Sequence, residues 1–264
     1  MQESIISATH NPKIKALLAL QQKAAERRKN GLFVVEGQRE LQHCIGAGME
    51  VDSVFFCPEM MNDAEAVLAT LLRGVRCYEV TAGVYEKIAY RGGTEGMIAE
   101  VKARKLRLSD LQLKDNPLLV VLESVEKPGN LGAVLRSADA AGVDAVIVCD
   151  PLTDIYNPNL IRSSIGAVFT VPCVTCSTED CIDFLKANGI QILTAQLQDS
   201  SLYYDTDMTG GTAIVMGTEA TGLTDAWRKA ADRHIRIPML GRLDSLNVSV
   251  SAGILMYEAV RQRH

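Results

Sequence analysis

The chain has 264 residues, of which 47% are hydrophobic and 22% charged, and its net charge is −5. That length supports one large or two modest domains around a real core, and the composition excludes an intrinsically disordered chain. The acidity argues against a protein that coats nucleic acid by charge alone, and no apolar run reaches the roughly 18 residues of a membrane span.

The first half reads as a small α/β unit. KIKALLALQQKAAERRKNG forms a helix closed by Gly31, and LFVVEG forms a short strand. RELQHCIGAG is a second helix, VDSVFFC a strand and DAEAVLATLLRG a third helix, followed by strands around RCYEV and GMIAEV. Basic residues gather here as Lys23, Arg27, Arg28 and Lys29, then as Lys102, Arg104, Lys105 and Arg107. Such patches can supply phosphate contacts even in an acidic chain. The charged stretch KARKLRLSDLQLKDN is a connector, which divides the chain into residues 1–106, a linker 107–116 and residues 117–264.

Regular strand–helix alternation follows. LLVVL is a continuous apolar run, as expected of a parallel strand covered on both faces. GNLGAVLRSADAAG is a helix with Leu131, Val134, Leu135 and Ala138 on one side; DAVIVC is a strand, NPNLIRSSIGAVF a helix and FTVPCV a strand. TEDCIDFLKANG, IQILTAQ, TAIVMG, LTDAWRKAAD and HIRIPM continue the pattern to a final helix with Val248, Ala252, Leu255, Met256 and Ala259 at helical spacing. The alternation implies a mostly parallel sheet with helices on both faces and ligands beyond the carboxyl ends of its strands.

Several chemistries lack their residues. Neither G-x-G-x-x-G nor G-x-x-x-x-G-K-[ST] follows a strand, which disfavours hydride transfer and P-loop phosphate chemistry. His10, His43, His234 and His264 are scattered, with no metal-ligand spacing and no evident base for a nucleophile. The seven cysteines form no disulfide framework and suit a reducing compartment. Cys173-x-x-Cys176 with Cys181 has no second pair and no histidine, so small buried thiols are expected rather than a metal site. Residues 1–20 lack a basic start, an apolar stretch and a small-residue cleavage site, and a cytoplasmic protein is expected.

Three strand ends are decorated alike. They are Glu126-x-Pro128-x-Asn130-x-Gly132 leading to Arg136, Gly217-x-Glu219-x-x-Gly222-Leu223, and Ile237-Pro238-Met239 followed by Ser245-Leu246-Asn247-Val248-Ser249. Capping of the final helix, worth about 1 kcal/mol, accounts for one polar residue at its start but not for Ser245, Asn247, Ser249 and Ser251 together. One such strand end is ordinary turn chemistry, whereas three on neighbouring strands favour a small-molecule site.

In this order and at these strand ends, the three segments resemble the motifs of the SpoU (TrmH) family of RNA ribose 2′-O-methyltransferases, within the SPOUT superfamily. The segment Gly31-Leu-Phe-Val-Val-Glu-Gly37 is similar to the family's N-terminal substrate-binding domain, which resembles an RNA-binding ribosomal protein. The resemblance implies a parallel sheet whose C-terminal portion is threaded into a trefoil knot, a feature no periodicity predicts. It further implies S-adenosylmethionine held by Gly217, Ile237, Met239 and Leu246, with Asn130, Arg136, Glu219 and Asn247 as the catalytic set and no metal. The implied substrate is structured RNA, ribosomal in preference to transfer RNA, and the implied assembly is a homodimer through the C-terminal domain. A guanidinium stays protonated, so Arg136 would bind phosphate and stabilise developing alkoxide charge rather than act as a base. Competing readings are a non-catalytic RNA-binding or ribosome-assembly protein that retains the fold, and a base-methylating relative.

Overall fold

The computed structural model describes residues 5–62, 74–90, 95–218, 221–242 and 245–264. The chain forms two compact units, Met1–Arg104 with Asp154–Thr170, and Lys105–Thr153 with Val171–His264.

In the first unit, strands β1 (Leu32–Glu36), β2 (Val51–Phe56), β3 (Arg76–Glu79) and β4 (Met97–Lys102) are ordered β1-β4-β2-β3. The sheet is antiparallel except between β2 and β3. Ile14, Leu17 and Leu20 of the helix Pro12–Gln22 pack in one cluster with Val34, Phe55 and Ile98. The expected single helix is two, Pro12–Gln22 and Ala24–Asn30, broken at Lys23, whose backbone is extended. Arg27 accounts for the break. Its guanidinium is buried and donates to the carbonyls of Leu20 and Gln21, at 2.6 and 3.1 Å, replacing the i+4 N–H partners that a continuing helix would give them. It also pairs with Asp154 at 2.6 Å. Arg27, counted above among candidate phosphate ligands, is therefore internal. In the second basic group Lys102 pairs with Glu50, Arg104 donates to the carbonyls of Ala47 and Gly48, and Arg107 pairs with Asp110. The helix Ala82–Ile88 was not anticipated, and the helix expected from Asp63 to Arg73 lies outside the described residues.

Residues 154–170, assigned by sequence to the C-terminal domain, pack with the first unit. The Tyr156 ring stacks on Phe33 with centroids 4.1 Å apart, and Phe169 lies 5.8 Å from Phe33 on the same basis. The helix read through NPNLIRSSIGAVF is likewise two, Pro158–Ser163 and Ala167–Thr170. Ile165 and Gly166 separate them in left-handed conformation, at φ 52° and 83°. A Cβ at Gly166 would stand 3.0 Å from the Cβ of His43, so glycine serves both the turn and the approach. Phe169, shared by the expected helix and the expected strand, and Thr170, expected in the strand, end this second helix.

The second unit carries a seven-stranded sheet formed by β5 (Leu118–Glu123), β6 (Ala145–Cys149), β7 (Cys173–Cys176), β8 (Gln191–Ala195), β9 (Ser201–Leu202), β10 (Thr212–Met216) and β11 (Arg233–Arg236). Their order is β7-β6-β5-β10-β8-β11-β9, and each pairing is parallel. Every residue of β5, β6 and β10 is buried, as continuous apolar strands covered on two faces require. At about 1.5–3 kcal/mol for each buried Val, Leu or Ile, these strands are the main hydrophobic contribution of the unit. The chain runs outward through β6 and β7, then returns to the far side of β5, where β10 lies between β5 and β8. That reversal leaves a crevice at the carboxyl ends of β5 and β10. The helix Pro128–Ala140 and the final helix Val248–Arg263 pack on each other beside it, and the final helix also meets β5 and β10. Among the described residues no helix is long and apolar enough to cross a membrane.

Candidate active site

Asn247 is the residue before the first turn of the final helix, and its Oδ1 accepts from the backbone N of Ser249 at 2.9 Å and from its hydroxyl at 2.6 Å. Its Nδ2 donates to Oδ1 of Asn130, at 3.2 Å, in the first turn of the helix that follows β5. Two residues 117 positions apart are thus joined because both helices start at the crevice. Asn130 lines a small cavity of about 130 Å³ together with Val125, Glu126, Lys127, Gly217, Thr218 and Val248.

Gly217 ends the β10 segment and turns the chain into a tight loop. Thr218 and Gly222 exchange backbone hydrogen bonds, and the Thr218 hydroxyl accepts from the backbone N of Thr221 at 3.0 Å. A Cβ at 217 would overlap the Gly222 carbonyl and stand 2.6 Å from the backbone N of Leu223, so only glycine lets this loop fold back on the strand end. The far side of the loop is held by Glu123, the last residue of β5. Its carboxylate is 3% exposed and accepts from the backbone N and hydroxyl of Thr224, at 2.9 and 2.7 Å, and from the Thr178 hydroxyl at 3.3 Å. These bonds satisfy a carboxylate that burial alone would penalise.

A second cavity, of about 420 Å³, opens at the ends of β8, β10 and β11. Gly217, Ile237, Met239 and Leu246, the four residues expected to hold the cofactor, all line it, as do Ser245 and Ser251 from the polar start of the final helix. Gly217, Thr218 and Val248 border both cavities. Sequence reasoning missed one wall, Ala195–Gln198, which continues β8. Gln196 donates from Nε2 to the Gln198 carbonyl at 2.9 Å, while its buried Oε1 has no partner among the described residues. The polar run Gln196-Leu-Gln198 at a fourth strand end was the available signal.

Arg136 is placed apart. Six residues beyond Asn130, it is turned about 240° around the helix. It is exposed, opposite the buried face of Leu131, Val134, Leu135 and Ala138, and outside the lining of both cavities. Glu219 lies outside the described residues.

Residues 117–257 match the SpoU rRNA Methylase family, and residues 11–99 match the MRM3-like substrate binding domain. The 23S rRNA (guanosine(2553)-2'-O)-methyltransferase RlmP of Bacillus subtilis (strain 168) is 28% identical over 252 residues, covering 96% of this chain and 97% of that protein. The 23S rRNA (guanosine-2'-O-)-methyltransferase RlmB of Vibrio vulnificus (strain CMCP6) is 39% identical over 197 residues, covering 72% of this chain and 79% of that protein. The crystal structure of an AdoMet-bound rRNA methyltransferase from Sinorhizobium meliloti is similar with a TM-score of 0.89 and 31% identity, covering 98% of this chain and 97% of that one. With the three motifs converging on one crevice and matches of this breadth, the chain belongs to the SpoU rRNA methylase family.

Proposed function

We propose that the protein methylates a ribose 2′-hydroxyl of ribosomal RNA with S-adenosylmethionine as donor. The observation that carries this reading is the junction of the two cavities: the larger one, lined by Ile237, Met239 and Leu246, meets the smaller one, lined by Glu126 and Asn130, at Gly217, Thr218 and Val248. The donor fits the larger cavity on three grounds. Its volume lies within the range typical of small-molecule sites. Gly217 lets the backbone at Gly222 and Leu223 fold back as one wall of it, and the orphaned Oε1 of Gln196 offers an acceptor inside.

When bound, the donor supplies a sulfonium-activated methyl group, so no metal is called for. Ile237, Met239 and Leu246 exclude water around it, and Gly217 lets the 218–222 loop close beside it. Asn130 and Asn247, bonded to each other, orient the ribose. Arg136 binds a phosphate beside that ribose from the exposed face of the helix. Its exposure supports a partner as large as RNA laid across that helix. Glu219 orients Arg136 or takes the hydroxyl proton.

The N-terminal match to a substrate binding domain and the names of the relatives support ribosomal over transfer RNA. We place RNA contact on exposed Lys13, Lys15, Arg28 and Lys29 of the first unit. Val250 and Tyr257, each 50% exposed on the final helix, support a homodimer through the C-terminal domain. The trefoil knot of the family and a cytoplasmic location complete the reading.

The test is incubation with labelled S-adenosylmethionine and ribosomal RNA, followed by nuclease digestion and mass analysis of the nucleosides. A 2′-O-methylated nucleoside is expected, and a base-methylated product would overturn the assignment. Absence of donor binding by calorimetry at high micromolar concentration would favour a non-catalytic RNA-binding protein.

A further inference from the structure

Three of the seven cysteines converge at the carboxyl edge of the sheet, outside the crevice described above. Cys149 ends β6 and Cys176 ends β7, and the two are partners in register. Register partners on neighbouring parallel strands point to the same face. Cys181 descends toward them from the first turns of the helix Thr178–Ala187, which covers that face together with the helix Asp225–Ala230. The three sulfur atoms all lie within 4.8 Å of one another. Cys173, three residues before Cys176, faces the opposite side of the strand, so the C-x-x-C spacing visible in the sequence is not the grouping the fold makes.

We propose that Cys149, Cys176 and Cys181 form a three-thiolate site for a soft d10 cation, zinc(II) or copper(I). Bonds of about 2.3 Å in tetrahedral geometry place sulfurs about 3.8 Å apart, so the cluster closes by no more than about 1 Å. Thiolates select such soft cations over oxygen-seeking ones. Cys149 and Cys181 are fully buried, whereas Cys176 is partly exposed, which gives the ion its entry and leaves the fourth position to solvent. Binding exchanges thiol protons for the cation.

The site also has something to brace. Cys149 is the register partner of Glu123, and Thr178, at the start of the Cys181 helix, donates to the same Glu123 carboxylate that holds Thr224. An ion among the three sulfurs ties β6, β7 and this helix together on the other side of β5 from β10, the strand that leads into Thr218.

The experiment uses the full chain, reduced and without a histidine tag, dialysed after exposure to zinc(II) or to copper(I). One ion retained per chain is expected, with a rise in melting temperature, and competition between the two ions tells which the site prefers. Cobalt(II) in its place is expected to give sulfur-to-metal charge-transfer absorption. Cys176→Ala removes a partly exposed side chain and is expected to lose the retained ion, whereas Cys173→Ser keeps it. Retention of neither ion by the wild-type chain, equal retention by Cys176→Ala, or cobalt binding without thiolate absorption overturns the proposal. Should Cys176→Ala misfold, the cobalt spectrum of the wild-type chain decides alone.

Discussion

The amide of Asn247 faces two ways: its oxygen caps the final helix at Ser249, and its nitrogen donates to Asn130 Oδ1 at 3.2 Å. The cap fixes the orientation, since only the oxygen can accept from the helix N–H groups. The two roles separate by substitution. Asn247→Asp retains the capping oxygen but cannot donate to Asn130, so its melting temperature should stay near wild type while methyl transfer falls about tenfold or more, equivalent to about 1.4 kcal/mol of barrier. Asn247→Ala should lose both, with about 1 kcal/mol of stability. Single-turnover transfer measured beside thermal melts checks this. Wild-type transfer by Asn247→Asp would remove the Asn pair from the reaction.

Gly217→Ala tests the loop. The added methyl group meets the backbone of Gly222 and Leu223, which has no rotamer with which to yield. The loop must open, and it forms a wall of both cavities. Calorimetry should show donor affinity reduced about tenfold or more, a cost of about 1.4 kcal/mol. Unchanged affinity would mean that the loop shifts without cost and does not shape the donor site.

Arg136→Ala should leave the fold alone. The side chain is exposed, and surface changes of this kind stay within about 0.5 kcal/mol. Transfer should be lost while donor affinity holds. Arg136→Lys should recover only part of the activity, because an ammonium cannot make the bidentate phosphate contact of a guanidinium. Equal loss of donor binding and transfer would make Arg136 a residue of the donor site instead.

The parallel sheet was legible because its strands announce themselves. LLVVL and TAIVM are apolar throughout, a pattern that requires cover on both faces, and β5 and β10 have it. The three decorated strand ends were legible for a related reason: glycine and amide residues interrupt apolar runs only where the chain must turn. What failed was whatever depends on partners distant in sequence. The break at Lys23 is set by Arg27, whose bond to Asp154 spans 127 positions, and nothing local marks it. Thr170, read as strand, ends a helix whose Phe169 stacks near Phe33, so tertiary packing overrode its local preference. Arg136 and Asn130 share one motif, yet helical periodicity sends them to different sides, a distinction that lies in the rotation between them rather than in the motif.

Glu258 gives the final helix a pH dependence. The side chain is 8% exposed and accepts from Arg261 Nε and Nη2 at 2.9 and 2.8 Å, and from Gln262 Nε2 at 2.8 Å. The hydrogen bonds from Arg261, and then that from Gln262, hold its carboxyl below the usual glutamate range against the opposing effect of burial. The folded state therefore favours the ion. Its stabilisation is fully present above the unfolded value, near about pH 4.3, and is lost as pH falls through the lower folded value. Gln262 extends the effect, because its own Oε1 accepts from the backbone N of Met208 at 2.7 Å and ties the helix end to the segment before β10. Urea denaturation of wild type and Glu258→Gln should differ most above about pH 5 and converge as the pH falls, at no more than about 1.4 kcal/mol per pH unit for one proton. A difference that stays constant across that range would show that the Arg261–Glu258 pair adds no charge-dependent stability.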